Sequence, residues 1–192
     1  YDIHAVINLA RRLGYNKIII AGHSTGANKA VYYLYKTRDR RVRGLVLLGS
    51  LSDIPAEEKR VGKKELARAI KVAWKLYRQN PSSLFFSRGF LYSPRRYLSL
   101  HTPGTAEDVF PYYNPKAKWK ELRSIRVPLA VIIGSRDEHL GMPAKNLIKI
   151  FEDYAPKVKS FSGTIIKDAG HSFVGKEKEL AKTVVNWIKK IE

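Results

Sequence analysis

Four short apolar runs punctuate the chain, at residues 17–21 (KIIIA), 44–48 (GLVLL), 129–133 (LAVII) and 163–166 (GTII). Each gives way to Gly, Ser or Asp within a residue or two. None shows the strict alternation of a half-exposed strand, so the pattern predicts strands buried on both faces. Between and around them lie stretches of helical period. Residues 3–13 set Ile3, Val6, Ile7, Ala10 and Leu13 on one stripe, and residues 177–191 do the same with Leu180, Val184, Trp187, Ile188 and Ile191. Residues 27–35 and 143–154 complete the set. Strand and helix in strict turn predict an α/β doubly wound parallel sheet with four visible strands.

One segment breaks this alternation. Residues 54–123 separate the second and third strands, where a simple crossover needs about a dozen residues. The expected organisation is a core made of residues 1–53 and 124–192, with residues 54–123 inserted as a helical lid. Within the insertion, residues 63–78 read as an amphipathic helix. Leu66, Ala69, Ile70, Ala73, Trp74 and Tyr77 fall on its apolar side, and Arg68, Lys71, Lys75 and Arg78 on the other. The remainder is aromatic, with Phe85, Phe86, Phe90, Tyr92, Tyr97, Phe110, Tyr112 and Tyr113 broken by four prolines.

Composition narrows the class. The chain has 192 residues, 44% of them apolar, enough to bury a core. With no cysteine, disulfide scaffolds, thiolate metal sites and thiol nucleophiles are excluded. A reducing compartment fits, and the cytoplasm is the expected location. No run approaches the ~20 apolar residues of a membrane span, and no signal peptide opens the chain. The first residue is Tyr1, inside a helical pattern, so it is not expected to be a true start. The net charge of +19 is spread: 9 basic and 2 acidic residues in 1–52, 15 and 7 in 53–123, 12 and 8 in 124–192. Without a concentrated basic tail, a nucleic-acid partner is not expected. Many lysines, no cysteine and one methionine also fit a thermophilic source.

The sharpest chemical signal is Gly22-His23-Ser24-Thr25-Gly26, directly after the first apolar run and directly before a helix. A serine at such a strand-to-helix junction sits on a strained turn with its hydroxyl raised above the sheet. Gly22 and Gly26 are expected to be required there, since a Cβ at either place would collide with the neighbouring strand or helix. The backbone N–H of Thr25 and the positive end of the following helix point where an oxyanion would form. A serine nucleophile needs a base and an orienting carboxylate. Asp137, in Gly134-Ser135-Arg136-Asp137 after the third strand, and His171, in Asp168-Ala169-Gly170-His171 after the fourth, stand where parallel strands deliver their carboxyl ends.

From Ile3 onward the chain resembles the carboxyl-terminal two thirds of the α/β-hydrolase superfamily. The GHSTG elbow, the insertion after the next strand, the acid in GSRDEHL and the histidine in DAGHSF carry the resemblance, together with the order Ser, Asp, His. More weakly, Gly49-Ser50-Leu51-Ser52-Asp53 and the long insertion resemble the siderophore-esterase-like branch. The resemblance implies Ser24 as nucleophile, His171 as general base and then acid, and Asp137 as the carboxylate that orients the imidazole. It implies Thr25 N–H as one oxyanion donor, no cofactor, no metal, and a small-molecule carboxylic ester as substrate. A catalytically silent protein of the same fold that binds an anionic partner, and an amidase or peptidase, are the alternatives. The family's second oxyanion donor comes from a loop upstream of the elbow strand, which this sequence does not contain. The isoleucines at 18–20 would then form an unguarded edge, expected to pair with a missing amino-terminal segment or with another chain.

Competing readings attach to several residues. Asp53 rivals Asp137 as the acid. Asp168 and Glu138 read as a turn former and a solvated charge. His23 flanks the elbow and lines the pocket, with Phe85, Phe86 and Phe90 as candidate walls for an acyl group. His4, His101 and His139 read as surface or lid polarity. A metal set of Asp137, Glu138, His139, Asp168 and His171 is disfavoured because adjacent loop residues diverge. The stripe Arg68, Lys71, Lys75 and Arg78 reads most simply as a solvated helix face, with an anionic substrate, a membrane surface or nucleic acid as rivals.

Overall fold

The computed structural model describes residues 2–87 and 89–191; Tyr1, which was expected not to be a true start, lies outside them. In chain order the elements are α1 (Asp2–Arg12), β1 (Ile18–His23), α2 (Thr25–Thr37), β2 (Val42–Leu48), α3 (Asp53–Val61), α4 (Lys63–Gln79), β3 (Phe85–Ser87), β4 (Phe90–Tyr92) and α5 (Pro94–His101). A 3-10 turn at Leu122–Ser124, β5 (Leu129–Gly134), α6 (Ala144–Tyr154), β6 (Phe161–Ile166) and α7 (Glu177–Ile191) follow. They form two compact units, Tyr1–Leu51 with Lys118–Glu192, and Ser52–Ala117.

The first unit is a parallel sheet in the order β1-β2-β5-β6 with flanking helices. Its inner strands explain the continuous apolar runs. Every residue of β5 is buried, and Val46, Ala130, Ile132 and Ile166 form one side of a core whose other side is Trp187, Leu180, Val184, Ile188 and Ile191 of α7. The alternate positions Leu129, Val131 and Ile133 are equally buried. On their side Gly163, paired with Val131, lies so close to α6 that a Cβ would stand 2.2 Å from Ile148. Helices therefore cover both faces, and the inner strands β2 and β5 need apolar residues in both directions, whereas the edge strand β6 leaves Ile165 40% exposed. At one edge, β1 keeps Ile18, Ile19 and Ile20 half-buried.

Residues 118–123 belong to this unit. Trp119 stacks on Tyr154 at 4.5 Å between ring centroids and meets Phe151 edge-on, and Leu122 is fully buried.

The second unit packs α4 and α5 around Leu66, Ala73, Tyr97 and Leu98, with Phe85 and Tyr92 of the β3–β4 hairpin closing the cluster. Three-residue strands are too short for a period-2 signal, so the hairpin leaves no trace in the hydrophobic pattern. The start of α5 is better marked: Ser93 Oγ accepts from Arg96 N at 3.2 Å, followed by Pro94 at the first helical position. Trp74, placed by its spacing on the apolar side of α4, is 42% exposed, because it sits at the margin of the buried face and not on it.

His101 is buried, not a surface group, and lies edge-on to the Tyr97 ring at 4.5 Å. Burial pushes its imidazole down to about 4; the Glu57 carboxylate acts in the opposite direction, and the Arg60 and Arg96 guanidinium groups reinforce the lowering. The folded chain thus holds the neutral ring while the unfolded chain takes a proton near pH 6.5. Stability conferred by this site is full above about pH 6.5, falls by up to ~1.4 kcal/mol per pH unit between there and the folded value, and is flat below it. Urea denaturation of wild type and His101→Phe across that range should show this slope in wild type and lose it in the variant.

Candidate active site

The elbow is built by main-chain constraints at the end of β1. Ser24 has φ 54° and ψ −127°, a positive-φ conformation outside the left-handed helical well that a non-glycine residue holds only under tertiary restraint. The restraint is visible. Ser24 N donates to Leu48 O at the end of β2 at 2.9 Å, and Ala27 N donates to Ser24 O at 2.9 Å as α2 begins. The serine side chain makes no capping bond to the helix it precedes.

The two flanking glycines have different roles. A Cβ on Gly22 would lie 2.4 Å from Gly26 O and 2.7 Å from Ala27 Cα, inside the helix backbone, whereas a Cβ on Gly26 meets nothing within 4 Å. The expected collision therefore exists at Gly22 and not at Gly26. The contact is mutual approach of the two backbones, and only the side that points inward must lack a Cβ.

The loops after β5 and β6 interlock in the same way. Ser135 N donates to Ile166 O and Arg136 N to Ala169 O, both at 2.9 Å, and Asp168 N donates to Ser135 Oγ at 2.8 Å. A Cβ on Gly134 would stand 2.3 Å from Ala169 O, so the loops meet backbone to backbone. Asp168, at φ 59°, turns the chain and pairs with Arg136 at 2.8 Å.

This brings Asp137 and His171 together. Asp137 Oδ2 lies 2.9 Å from His171 Nδ1, with side chains 0% and 9% exposed. The Nδ1–H donates to the carboxylate, which makes Nε2 the basic nitrogen of the neutral ring. Asp137 Oδ1 accepts from His139 N at 3.0 Å, so both carboxylate oxygens are used. Asp53, the rival acid, opens α3 in the second unit.

The peptide of His171 is gripped at both ends. Its N–H donates to Glu138 Oε2 at 3.0 Å, and its carbonyl accepts from His23 Nε2 at 2.9 Å. Glu138 is therefore more than a solvated charge: the His171 N–H, joined by its own backbone N–H, holds its carboxyl below the usual carboxylate range. His23 comes from the elbow and Glu138 from the acid loop, so each of the other two motifs holds the histidine loop. The His139 ring stands perpendicular to the His171 ring at 4.6 Å, and the His23 ring lies tilted at 4.9 Å. In sequence His139 reads as surface or lid polarity, and its adjacency to Asp137 is the one signal of its place beside His171. Among the remaining candidates, His4 lies on the surface near Tyr33 at 3.3 Å. Phe85 packs into the core of the second unit against Tyr97, Phe86 is 70% exposed, and Phe90 lies beneath the Arg60 guanidinium. Among the described residues no group of three or more His, Asp or Glu side chains is placed to hold a metal ion.

A parallel sheet carrying a strained serine elbow, with an acid and a histidine paired on later loops, defines an α/β-hydrolase fold. The chain belongs to the family described as "Protein of unknown function (DUF1749)", whose pattern matches residues 2–191; it is an α/β-hydrolase-like family. No curated protein matches it in sequence. Among solved structures it is similar to Est1E from Butyrivibrio proteoclasticus, at 19% identity and a TM-score of 0.62, over 98% of this chain and 67% of that one. A monoacylglycerol lipase of Paleococcus ferrophilus matches at 19% identity and a TM-score of 0.61, over 99% and 73%. A monoglyceride lipase from Saccharomyces cerevisiae matches at 12% identity and a TM-score of 0.69, over 98% and 66%. These likenesses establish the fold.

The elbow geometry makes a paired forecast. Gly22→Ala should cost about 1–3 kcal/mol in chemical denaturation through forced displacement of the elbow, whereas Gly26→Ala should stay within about 0.5 kcal/mol of wild type.

Proposed function

We propose that the protein is a serine hydrolase that cleaves a carboxylic ester through an acyl-enzyme. The observation that carries this reading is the buried Asp137–His171 bond at 2.9 Å, on loops interlocked at the same sheet edge as the strained Ser24 turn. In this reading Ser24 Oγ attacks the ester carbonyl carbon as its proton passes to His171 Nε2. The Thr25 N–H stabilises the resulting oxyanion from the start of α2. Collapse breaks the carbon–oxygen bond, His171 returns the proton to the leaving alcohol, and the acyl group stays on Ser24. Water then repeats the sequence and releases the acid. Asp137 stabilises the imidazolium formed in each half and keeps the ring in the tautomer that leaves Nε2 basic.

Support for an ester over other acyl substrates comes from the neighbours, which include a monoacylglycerol lipase and a monoglyceride lipase. The outer edge of β1 is, in the same reading, open to a further strand, from this protein or from another chain.

A fluorophosphonate probe should label the wild-type protein on Ser24 and leave Ser24→Ala unlabelled. Against a panel of p-nitrophenyl esters and monoacylglycerols, Asp137→Asn should lower kcat by about 10⁴-fold with a far smaller change in KM. An unlabelled wild-type protein, or full turnover by Ser24→Ala, would remove Ser24 from the chemistry.

A further inference from the structure

The loop that leaves β2 also reaches the histidine. Gly49, the first residue after that strand, is buried at φ 53°, and a Cβ added to it would stand 3.2 Å from both Nδ1 and Cε1 of His171 and 3.3 Å from the His171 carbonyl oxygen. The bare α-carbon therefore lies against the Nδ1–Cε1 bond of the imidazole. Such distances fall short of the ~3.5–4.0 Å at which carbon atoms rest in contact. An alanine would fit only if a neighbour gave way by a few tenths of an ångström.

Backbone conformation by itself does not call for glycine at this position. Arg38, Trp119, Asp168 and Phe173 all carry side chains at φ between 49° and 59°, the range that Gly49 occupies. The demand for a bare α-carbon comes from the ring. Neither partner yields easily. Gly49 N donates to Ile132 O at 2.9 Å, and the next two residues, Ser50 and Leu51, are 0% and 5% exposed. His171 is tied through Nδ1 to Asp137, through its N–H to Glu138 and through its carbonyl to His23. A Cβ at residue 49 presses on the ring and on the carbonyl together. The displacement falls on the Asp137 bond, on the His23 bond or on both, and in each case Nε2 changes direction.

We propose that Gly49 is a positioning residue of the hydrolase site, the seat that holds the His171 imidazole on Asp137 and so aims Nε2. What the ring does rests on the serine-hydrolase reading; where it is held does not. A reacting group has to be kept within about 0.5 Å of its productive place, so a shift of a few tenths of an ångström is enough to slow the chemistry.

The His171 Nδ1–H, held against a buried carboxylate, should give a proton resonance far downfield in wild type, assigned by its loss in His171→Gln. Gly49→Ala should move this resonance upfield or broaden it, in a Ser24→Ala background as well as alone. With an ester that wild type cleaves, Gly49→Ala should lower kcat about 10- to 100-fold and leave KM within about twofold. Gly14→Ala is the control. There φ is 90° and a Cβ meets nothing within 4 Å, so the variant bears backbone strain without touching the ring, and resonance and kcat should stay as in wild type. In the wild-type protein an α-proton of Gly49 should show a nuclear Overhauser effect to Hε1 of His171, and its absence would overturn the proposal even where Gly49→Ala does not fold. An unchanged resonance or an unchanged kcat in Gly49→Ala would also overturn it, as would an equal change in Gly14→Ala. A wild-type protein that takes no fluorophosphonate and cleaves no ester removes the hydrolase reading, and the resonance then decides alone whether Gly49 holds the ring.

Discussion

Three main-chain hydrogen bonds form a row across the carboxyl edge of the sheet, and the rest of the site depends on them. Ser24 N reaches Leu48 O, Gly49 N reaches Ile132 O, and Ser135 N reaches Ile166 O, each at 2.9 Å. The loops after β1, β2 and β5 therefore each start from a point tied to a carbonyl at or near the end of the neighbouring strand. A one-residue slip of any strand would move its loop by more than 3 Å and turn its side chains to the other face. The deep burial of β2 and β5 prevents that slip, because it would drive core residues out of contact with α7. Register is thus the means by which apolar packing fixes polar geometry at the edge.

From that row the loops approach until backbone meets backbone, at Gly22 against Gly26 and at Gly134 against Ala169. The pairing of Asp137 with His171 is a consequence of this approach. Both carboxylate oxygens accept hydrogen bonds, and His171 is held by its N–H, its carbonyl and its ring. A buried polar cluster is worth keeping only when its members are satisfied, since a half-satisfied group in a low-dielectric setting is costly. His23 and Glu138 matter for this reason. They leave the peptide of His171 no alternative partner, so the imidazole keeps its direction.

The second unit follows different rules. Its interior is a small aromatic cluster, with Tyr97 fully buried among Phe85, Tyr92 and His101. The Glu57 carboxylate, also buried, is satisfied by two nitrogens of Arg60 at 2.7 Å. Its outside is basic and partly apolar.

Periodicity along the chain was sufficient for the four parallel strands, α2, α4 and α6, because those helices each bury one face and the inner strands β2 and β5 bury both, while the edge strands β1 and β6 are only partly buried yet keep short apolar runs. The turn chemistry of Gly22 to Gly26 was legible for the same reason: a strand, a strained serine and a helix are contiguous. Distance in sequence hid the rest. Glu138 and His23 lie 33 and 148 positions from His171, and nothing local distinguishes a carboxylate that grips a distant peptide from one in water. The same limit made His101 look exposed, because its burial comes from elements that no period-2 or period-3.6 pattern announces. The sequence by itself determined which segments form strands and where their loops begin. Only the tertiary structure decided which glycine must lack a Cβ, which carboxylate meets the imidazole and which charges are left facing outward, because those outcomes depend on backbone approaches between segments far apart in the chain.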